Sequence, residues 1–189
     1  RVLDIGCGTG DLIINIARRS GTDVEMVALD YSPPMLAKAA AKARRLAPGR
    51  KITFIEGDVA SLPFPDGHFD CVGISFAFRN LTYKNPVAQP HLAEVFRVLS
   101  PGGRYVIVET SQPECRLIRW LFHLYLRLIV SRLGQWLSGN KGAYHYLAES
   151  AADFFTPKEV RQMLTGAGFR EVFYRPLFFG AAGVHSAVK

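Results

Sequence analysis

The segment Val2-Leu3-Asp4-Ile5 runs straight into Gly6-Cys7-Gly8-Thr9-Gly10 and then into Asp11-Leu12-Ile13. No other stretch narrows the fold as much. Val2, Leu3 and Ile5 are apolar, as in a strand covered on both faces of a parallel sheet. Gly6, Gly8 and Gly10 follow at every second position, where the missing Cβ allows φ > 0 and close approach of a ligand to the backbone. Leu12, Ile13, Ile16 and Ala17 then recur at helical spacing. A buried strand, a glycine turn and a helix predict an α/β chain with its ligand against that turn.

The spacing narrows the ligand. A dinucleotide turn reads G-x-G-x-x-G, with pyrophosphate at the helix N-terminus. Here the glycines read G-x-G-x-G, and an acid, Asp4, lies within the preceding strand. A nicotinamide-dependent oxidoreductase would share this strand, turn and helix but needs its third glycine one position later. The run resembles the first motif of class I S-adenosylmethionine-dependent methyltransferases, which implies S-adenosyl-L-methionine as cofactor.

Further segments fit in chain order. Glu25-Met-Val-Ala-Leu-Asp30 reads as a second strand ending in an acid, about 20 residues past the glycines, where a carboxylate accepts from ribose hydroxyls. Ser32 before Pro33 is the better helix cap, which leaves Asp30 for the ligand. Met35, Leu36, Ala39, Ala40 and Ala43 form the apolar stripe of the helix that follows. Ile52 to Val59 is a strand closing on Gly57-Asp58, and Phe69 to Ser75 is a fourth strand whose end lies where open α/β sheets bind ligands. Leu92, Val95, Phe96 and Leu99 mark one helical face, followed by a Ser100-Pro-Gly-Gly103 turn and a strand from Arg104 to Thr110. In the resembling methyltransferases the acid at Asp58 accepts from the adenine amino group and the next backbone N–H, that of Val59, meets a ring nitrogen. The same matching assigns Gly6, Gly8, Thr9, Gly10, Asp30, Asp58, Val59 and Ser75 to the cofactor.

A chain of 189 residues suits one domain with a proper core. The formal net charge of +7 favours an anionic partner, either nucleic acid or an acidic membrane surface. The basic residues are spread along several helices rather than gathered beside stacking aromatics, so no nucleic-acid partner is expected. Cys7, Cys71 and Cys115 are far apart and read as thiols of a reducing compartment. No C-x-x-C or H-x-x-x-H pair points to a metal. The sequence begins inside its first core strand, so an N-terminal segment that covers the cofactor is expected ahead of it.

The reaction class rests on three later stretches. Gly73-Ile-Ser-Phe-Ala-Phe-Arg79-Asn80 follows the fourth strand, Glu109-Thr-Ser-Gln-Pro113 the fifth, and Tyr144-His-Tyr-Leu-Ala-Glu149-Ser150 precedes Phe154-Phe-Thr-Pro157. Together they resemble the demethylmenaquinone and ubiquinone-biosynthesis C-methyltransferase family over essentially the whole chain, with Glu-Thr-Ser-Gln-Pro leaning toward the menaquinone branch. The resemblance implies methylation of a ring carbon of a prenylated hydroquinone, demethylmenaquinol first and the methoxy-polyprenyl-benzoquinol second. Another small-molecule or RNA substrate is the alternative. Such chemistry requires a group that stabilises a developing phenolate and one that removes protons. Arg79 and Asn80 are assigned the first role, and His145, with Tyr146 and Glu149 beside it, the second. His68, His91 and His123 read as ordinary surface or core residues, and His185 as a weak substrate-pocket candidate.

The resemblance also implies a Rossmann-like class I fold, a seven-stranded mostly parallel sheet of order 3-2-1-4-5-7-6 with helices on both faces. Residues 1–189 form one domain carrying a helical cap insertion over 114–150. Leu117 to Leu133 mixes Leu, Ile and aromatics with Arg119, Arg127 and Arg132. Its apolar runs are shorter than the ~20 residues of a membrane span. They suit either a buried helix capping the sheet or a helix at a membrane interface. A cytoplasmic enzyme touching the inner membrane face follows from a bilayer-dwelling substrate, and a homodimer is compatible with it. Thr156-Pro-Lys-Glu159 is a capping box, Gly168 a helix stop, and two strands, Arg170 to Phe178 and Val184 to Lys189, close the chain.

Overall fold

The computed structural model describes residues 1–83, 85–86, 88–113, 115–125 and 154–189. Its strands are β1 (Val2–Ile5), β2 (Met26–Asp30), β3 (Ile52–Glu56), β4 (Phe69–Ser75), β5 (Leu99–Thr110), β6 (Arg170–Leu177) and β7 (Ala182–Val188). They form one sheet in the order β3-β2-β1-β4-β5-β7-β6, as expected. β1, β2, β3, β4 and β5 pair in parallel, and β7 inserts antiparallel between β5 and β6. The chain order reverses between β1 and β4, and a crevice opens beyond the carboxyl ends of strands at such a point.

The helices are α1 (Asp11–Arg19), α2 (Pro33–Leu46), α3 (Phe78–Thr82), α4 (Ala88–Val98), α5 (Arg116–Tyr125) and α6 (Pro157–Gly166). Because side chains alternate along a strand, β2 feeds two cores. Met26 and Ala28 pack with Ile13, Ile14, Leu36 and Ala43 of α1 and α2. Val27 and Leu29 join the larger cluster that includes Leu92 and Val95 of α4 and Val160 and Leu164 of α6. The helices thus cover both faces of the sheet.

The ends of α6 follow the sequence closely. The Thr156 side chain accepts from Glu159 N–H while the Glu159 side chain accepts from Thr156 N–H. At the other end Phe169 N–H reaches Leu164 O and Gly168 N–H reaches Thr165 O. This is the paired C-terminal motif that a left-handed glycine allows, and Gly168 has φ +98°.

Three local expectations are corrected. Ser100-Pro-Gly-Gly103 is not a turn ahead of the fifth strand but lies within β5, which begins at Leu99. There Phe69 pairs with Leu99 and Cys71 with Arg104, so one residue of β4 faces four of β5 in a wide bulge. The bulge holds because Gly102 N–H donates to Lys189 O and Lys189 N–H to Gly103 O. Ser32 stands at the N-cap of α2 but its side chain makes no cap bond. Pro33 and Pro34 have no N–H to offer, and the Met35 N–H is already bonded to Ser32 O. Finally, no residue of α5 is buried, so the described part of the 117–133 stretch does not form a buried cap. Leu117, Trp120, Leu121 and Tyr125 are exposed there.

Candidate active site

The crevice at the β1/β4 reversal is a cleft of about 840 Å³. Gly6, Gly8, Thr9, Asp30, Asp58, Val59, Ser75 and Asn80 all line it. Eight of the residues singled out from sequence, dispersed over 75 positions, therefore meet at one place. The topology accounts for this, since each follows the carboxyl end of a parallel strand or lies in its last residues.

The glycine turn is tied into the sheet. Cys7 N–H donates to Leu29 O (3.1 Å) and Gly10 N–H closes back on Cys7 O (2.8 Å). Gly8 N–H donates to Asp30 Oδ2 at 2.7 Å and Ser32 N–H to Asp30 Oδ1 at 2.9 Å. Two backbone donors fix the carboxylate, and each oxygen keeps a lone pair free for the cleft. Gly6 (φ +59°) has no room for a Cβ, which would stand 3.0 Å from the Ala77 Cβ, whereas a Cβ on Gly8 would meet nothing within 4 Å. The space beside Gly8 is open to a ligand.

Asp4, noted in the sequence only as a strand acid, belongs to the site. It is 1% exposed and lines the cleft. Ile13 N–H donates to its Oδ2 at 3.2 Å, while Oδ1 has no partner. Burial, offset in part by the Ile13 bond and reinforced by the charge of Asp30, pushes its pKa up to about 7. A desolvated carboxylate with an unpartnered oxygen calls for a donor or a cation. The same burial, with the charges of Asp4 and Asp30, pushes the Cys7 thiol up to about 12, which removes it as a nucleophile.

Two assigned residues face elsewhere. Gly10 (φ +77°) does not line the cleft; its missing Cβ leaves room for Ala39 and Ile14, which a Cβ would meet at 3.1 and 3.3 Å. It lets α1 approach α2 and is a packing residue. Arg79, adjacent to cleft-lining Asn80, is 6% exposed and does not line the cleft. Its Nη1 donates to Thr110 Oγ1 at 3.4 Å, its Nε–H has no partner, and no described carboxylate pairs with it. Buried Glu109 braces the surrounding backbone, accepting from Arg79 N–H (3.1 Å) and Thr110 N–H (2.8 Å). His145, Tyr146 and Glu149 lie outside the described residues. His185 is buried in β7, its ring 4.7 Å from that of Tyr174 and tilted 37° to it, and does not line the cleft. His91, read as ordinary, does line it, as does Phe76, whose φ of +54° is strained for an aromatic residue and marks the cleft mouth.

The donor and acceptor set fits S-adenosylmethionine. That molecule carries an ammonium, a ribose diol and an adenine amino group, all donors or cations, and no phosphate. The cleft answers with Asp4, Asp30 and Asp58 and with glycine backbone that a bulky neighbour would close.

The sequence profile of the ubiE/COQ5 methyltransferase family matches residues 1–189. The chain is 42% identical over 185 residues to demethylmenaquinone methyltransferase of Thermus thermophilus, covering 98% of this chain and 80% of that protein. It is 44% identical over 186 residues to the Deinococcus radiodurans protein of the same name, covering 97% and 73%. Against the ubiquinone/menaquinone biosynthesis C-methyltransferase UbiE of Erwinia tasmaniensis it is 34% identical over 189 residues, covering 100% and 74%. The fold is that of a SAM-dependent methyltransferase from Aquifex aeolicus, with TM-score 0.68 at 20% identity over 100% of this chain and 81% of that one. A SAM-dependent methyltransferase from Methanosarcina mazei matches with TM-score 0.65 at 24% identity, covering 100% and 91%. With the profile and the relatives agreeing along the full sequence, the chain belongs to the ubiE/COQ5 methyltransferase family.

Proposed function

We propose that this chain transfers a methyl group from S-adenosylmethionine to a ring carbon of a prenylated hydroquinone, with demethylmenaquinol as its principal substrate. One observation carries the reading. The Thermus thermophilus and Deinococcus radiodurans relatives, each above 40% identical and matched over nearly the whole chain, are both named demethylmenaquinone methyltransferases. The UbiE relatives support the methoxy-polyprenyl-benzoquinol as a second substrate.

The cofactor supplies an electrophilic methyl group on a sulfonium. The chain must hold it, present the ring in line and manage the ring's charge. In this reading the Asp4 oxygen accepts from the ammonium, Asp30 grips the ribose, and Asp58 with the Val59 N–H reads the adenine edge. Gly6, Gly8, Thr9 and Ser75 form the surrounding wall. Asn80, exposed in the same cleft, hydrogen-bonds a ring oxygen of the quinol. Arg79 contributes a buried cation that no described carboxylate neutralises, which suits it to stabilise developing phenolate charge. His145, with Tyr146 and Glu149, is proposed to remove the protons. Residues 1–189 act as one domain, with 114–150 as the cap over the substrate.

A bilayer-dwelling substrate calls for contact with the membrane, proposed through α5, at the inner face of the cytoplasmic membrane. Among the described residues no helix is long and apolar enough to cross a membrane. Exposed Leu117, Trp120, Leu121 and Tyr125, flanked by Arg116 and Arg119, instead suit a helix lying at the lipid surface. A homodimer is compatible with this arrangement.

The test is a labelled-methyl transfer assay against demethylmenaquinol and the methoxy-benzoquinol, with mass spectrometry of the lipid product. Mass gain on the demethylmenaquinol ring is the expected result. Transfer to neither quinol, with S-adenosylmethionine bound, overturns the substrate assignment.

A further inference from the structure

His91 stands in the first turn of α4, 4% exposed, and lines the cleft together with Asp58. Its Nδ1 lies 2.9 Å from Leu81 O. A carbonyl oxygen only accepts, so Nδ1 must carry the proton of that bond. In the neutral ring the other nitrogen, Nε2, is therefore an acceptor with a free lone pair. That nitrogen lies 3.7 Å from Asp58 Oδ1. Asp58 Oδ1 is itself positioned by the Ala60 N–H at 2.9 Å.

With that ring neutral, the two acceptors repel at this separation, and one group with two hydrogens can bridge them. One amino nitrogen placed about 2.9 Å from each donates to both, with angles still near 150°. A hydroxyl or a ring N–H has only one hydrogen and satisfies one of the pair. A carbonyl satisfies neither.

From this arrangement we infer that His91 Nε2 and Asp58 Oδ1 together hold the exocyclic amino group of the cofactor's adenine, one N–H each, and so make His91 a specificity-determining residue for adenine. The inference rests on the cofactor reading above and adds a second acceptor from α4 to the acid that follows β3. The bond to Leu81 O is what presets the tautomer. Because α3 carries both Leu81 and Asn80, the adenine end of the cleft is braced by the helix that faces the substrate end.

Isothermal titration of the full chain separates this from a purely structural histidine. The ligands are S-adenosylhomocysteine and S-inosylhomocysteine, in which a carbonyl replaces the amino group. The unaltered chain prefers the adenosyl ligand. His91→Phe lowers that preference about fivefold, the worth of one neutral hydrogen bond, by weakening the adenosyl ligand alone. His91→Gln, which can both donate to Leu81 O and accept from the ligand, keeps the preference within about twofold. An unchanged ratio in His91→Phe, or equal weakening of both ligands, overturns the inference and leaves the cofactor reading intact. Failure of the unaltered chain to bind S-adenosylhomocysteine overturns both. A second measurement needs no variant: N6-methylated S-adenosylhomocysteine, with one N–H fewer, binds the unaltered chain at least about fivefold more weakly, and equal affinity overturns the inference.

Discussion

The N–H of Gly8 donates to Oδ2 of Asp30 across 2.7 Å, joining the glycine turn after β1 to the last residue of β2. The same carboxylate that is assigned to the ribose therefore also holds the shape of the turn. Asp30→Ala loses both functions. Affinity for S-adenosylhomocysteine is expected to fall about tenfold or more, as charge-assisted bonds to hydroxyls are removed, and the melting temperature drops as well. Asp30→Asn keeps an oxygen for Gly8 N–H but turns its NH2 toward the Ser32 N–H, so it retains only part of the stability while still losing affinity. Calorimetric titration alongside thermal unfolding checks the split.

Asp4 gives cofactor binding a pH dependence. Its folded pKa of about 7 lies above the ordinary 3.8, so its contribution to folding is present below pH 4 and is lost as pH rises through 7. An ionised Asp4 facing the ligand's ammonium reverses that cost. Affinity for S-adenosylhomocysteine should rise between about pH 6 and 8, and Asp4→Asn, which can still accept from Ile13 N–H, should flatten the rise. Titration of both proteins across that range is the check.

His185 acts with the opposite sign. Burial, helped by the charge of Arg161, lowers its pKa from 6.5 to about 4, so its stabilising contribution is present above pH 6.5 and is lost as pH falls toward 4. Between pH 4 and 6.5 it and Asp4 oppose one another. His185→Phe, which keeps an aromatic ring beside Tyr174, is expected to gain about 1–3 kcal/mol relative to the native chain at pH 4.5 compared with pH 7.5. Urea unfolding at the two pH values measures this.

Gly10 and Gly8 should answer alanine substitution differently. Gly10→Ala places a Cβ 3.1 Å from that of Ala39 at φ +77° and is expected to cost about 1–3 kcal/mol of stability with ligand affinity in the surviving fold little changed. Gly8→Ala meets no neighbour but carries the backbone strain of φ +53°, so it costs about 1 kcal/mol of stability and also loses affinity, since its methyl stands in the cleft. Paired melting and binding measurements distinguish them.

Membrane contact through α5 predicts that Trp120→Ser with Phe122→Ser reduces flotation of the full-length protein with vesicles containing anionic lipid. Equal recovery of the native and altered proteins would count against it.

Much of this was legible in the chain itself. The strand, turn and helix around Gly6 to Ala17, the acid ending β2, the capping box at Thr156 and the helix stop at Gly168 are local patterns, set by periodicity and by backbone freedom a few residues long. The chain order of motifs also carried the sheet order, through the resemblance they support. Other features were decided by tertiary contact. Ser100 to Gly103 reads as a turn, yet hydrogen bonds to Lys189, at the far end of the chain, make it a bulge within β5. Gly10 looks like its neighbours Gly6 and Gly8, but only the packing of α2 against α1 assigns it to the helix interface. Asp4 and His91 gain their significance from burial and from an unpartnered oxygen or a carbonyl 2.9 Å away. A sequence reveals which groups can donate, accept or ionise. Which of them face one another across a cleft, and which are stripped of water there, depends on segments that meet only after folding.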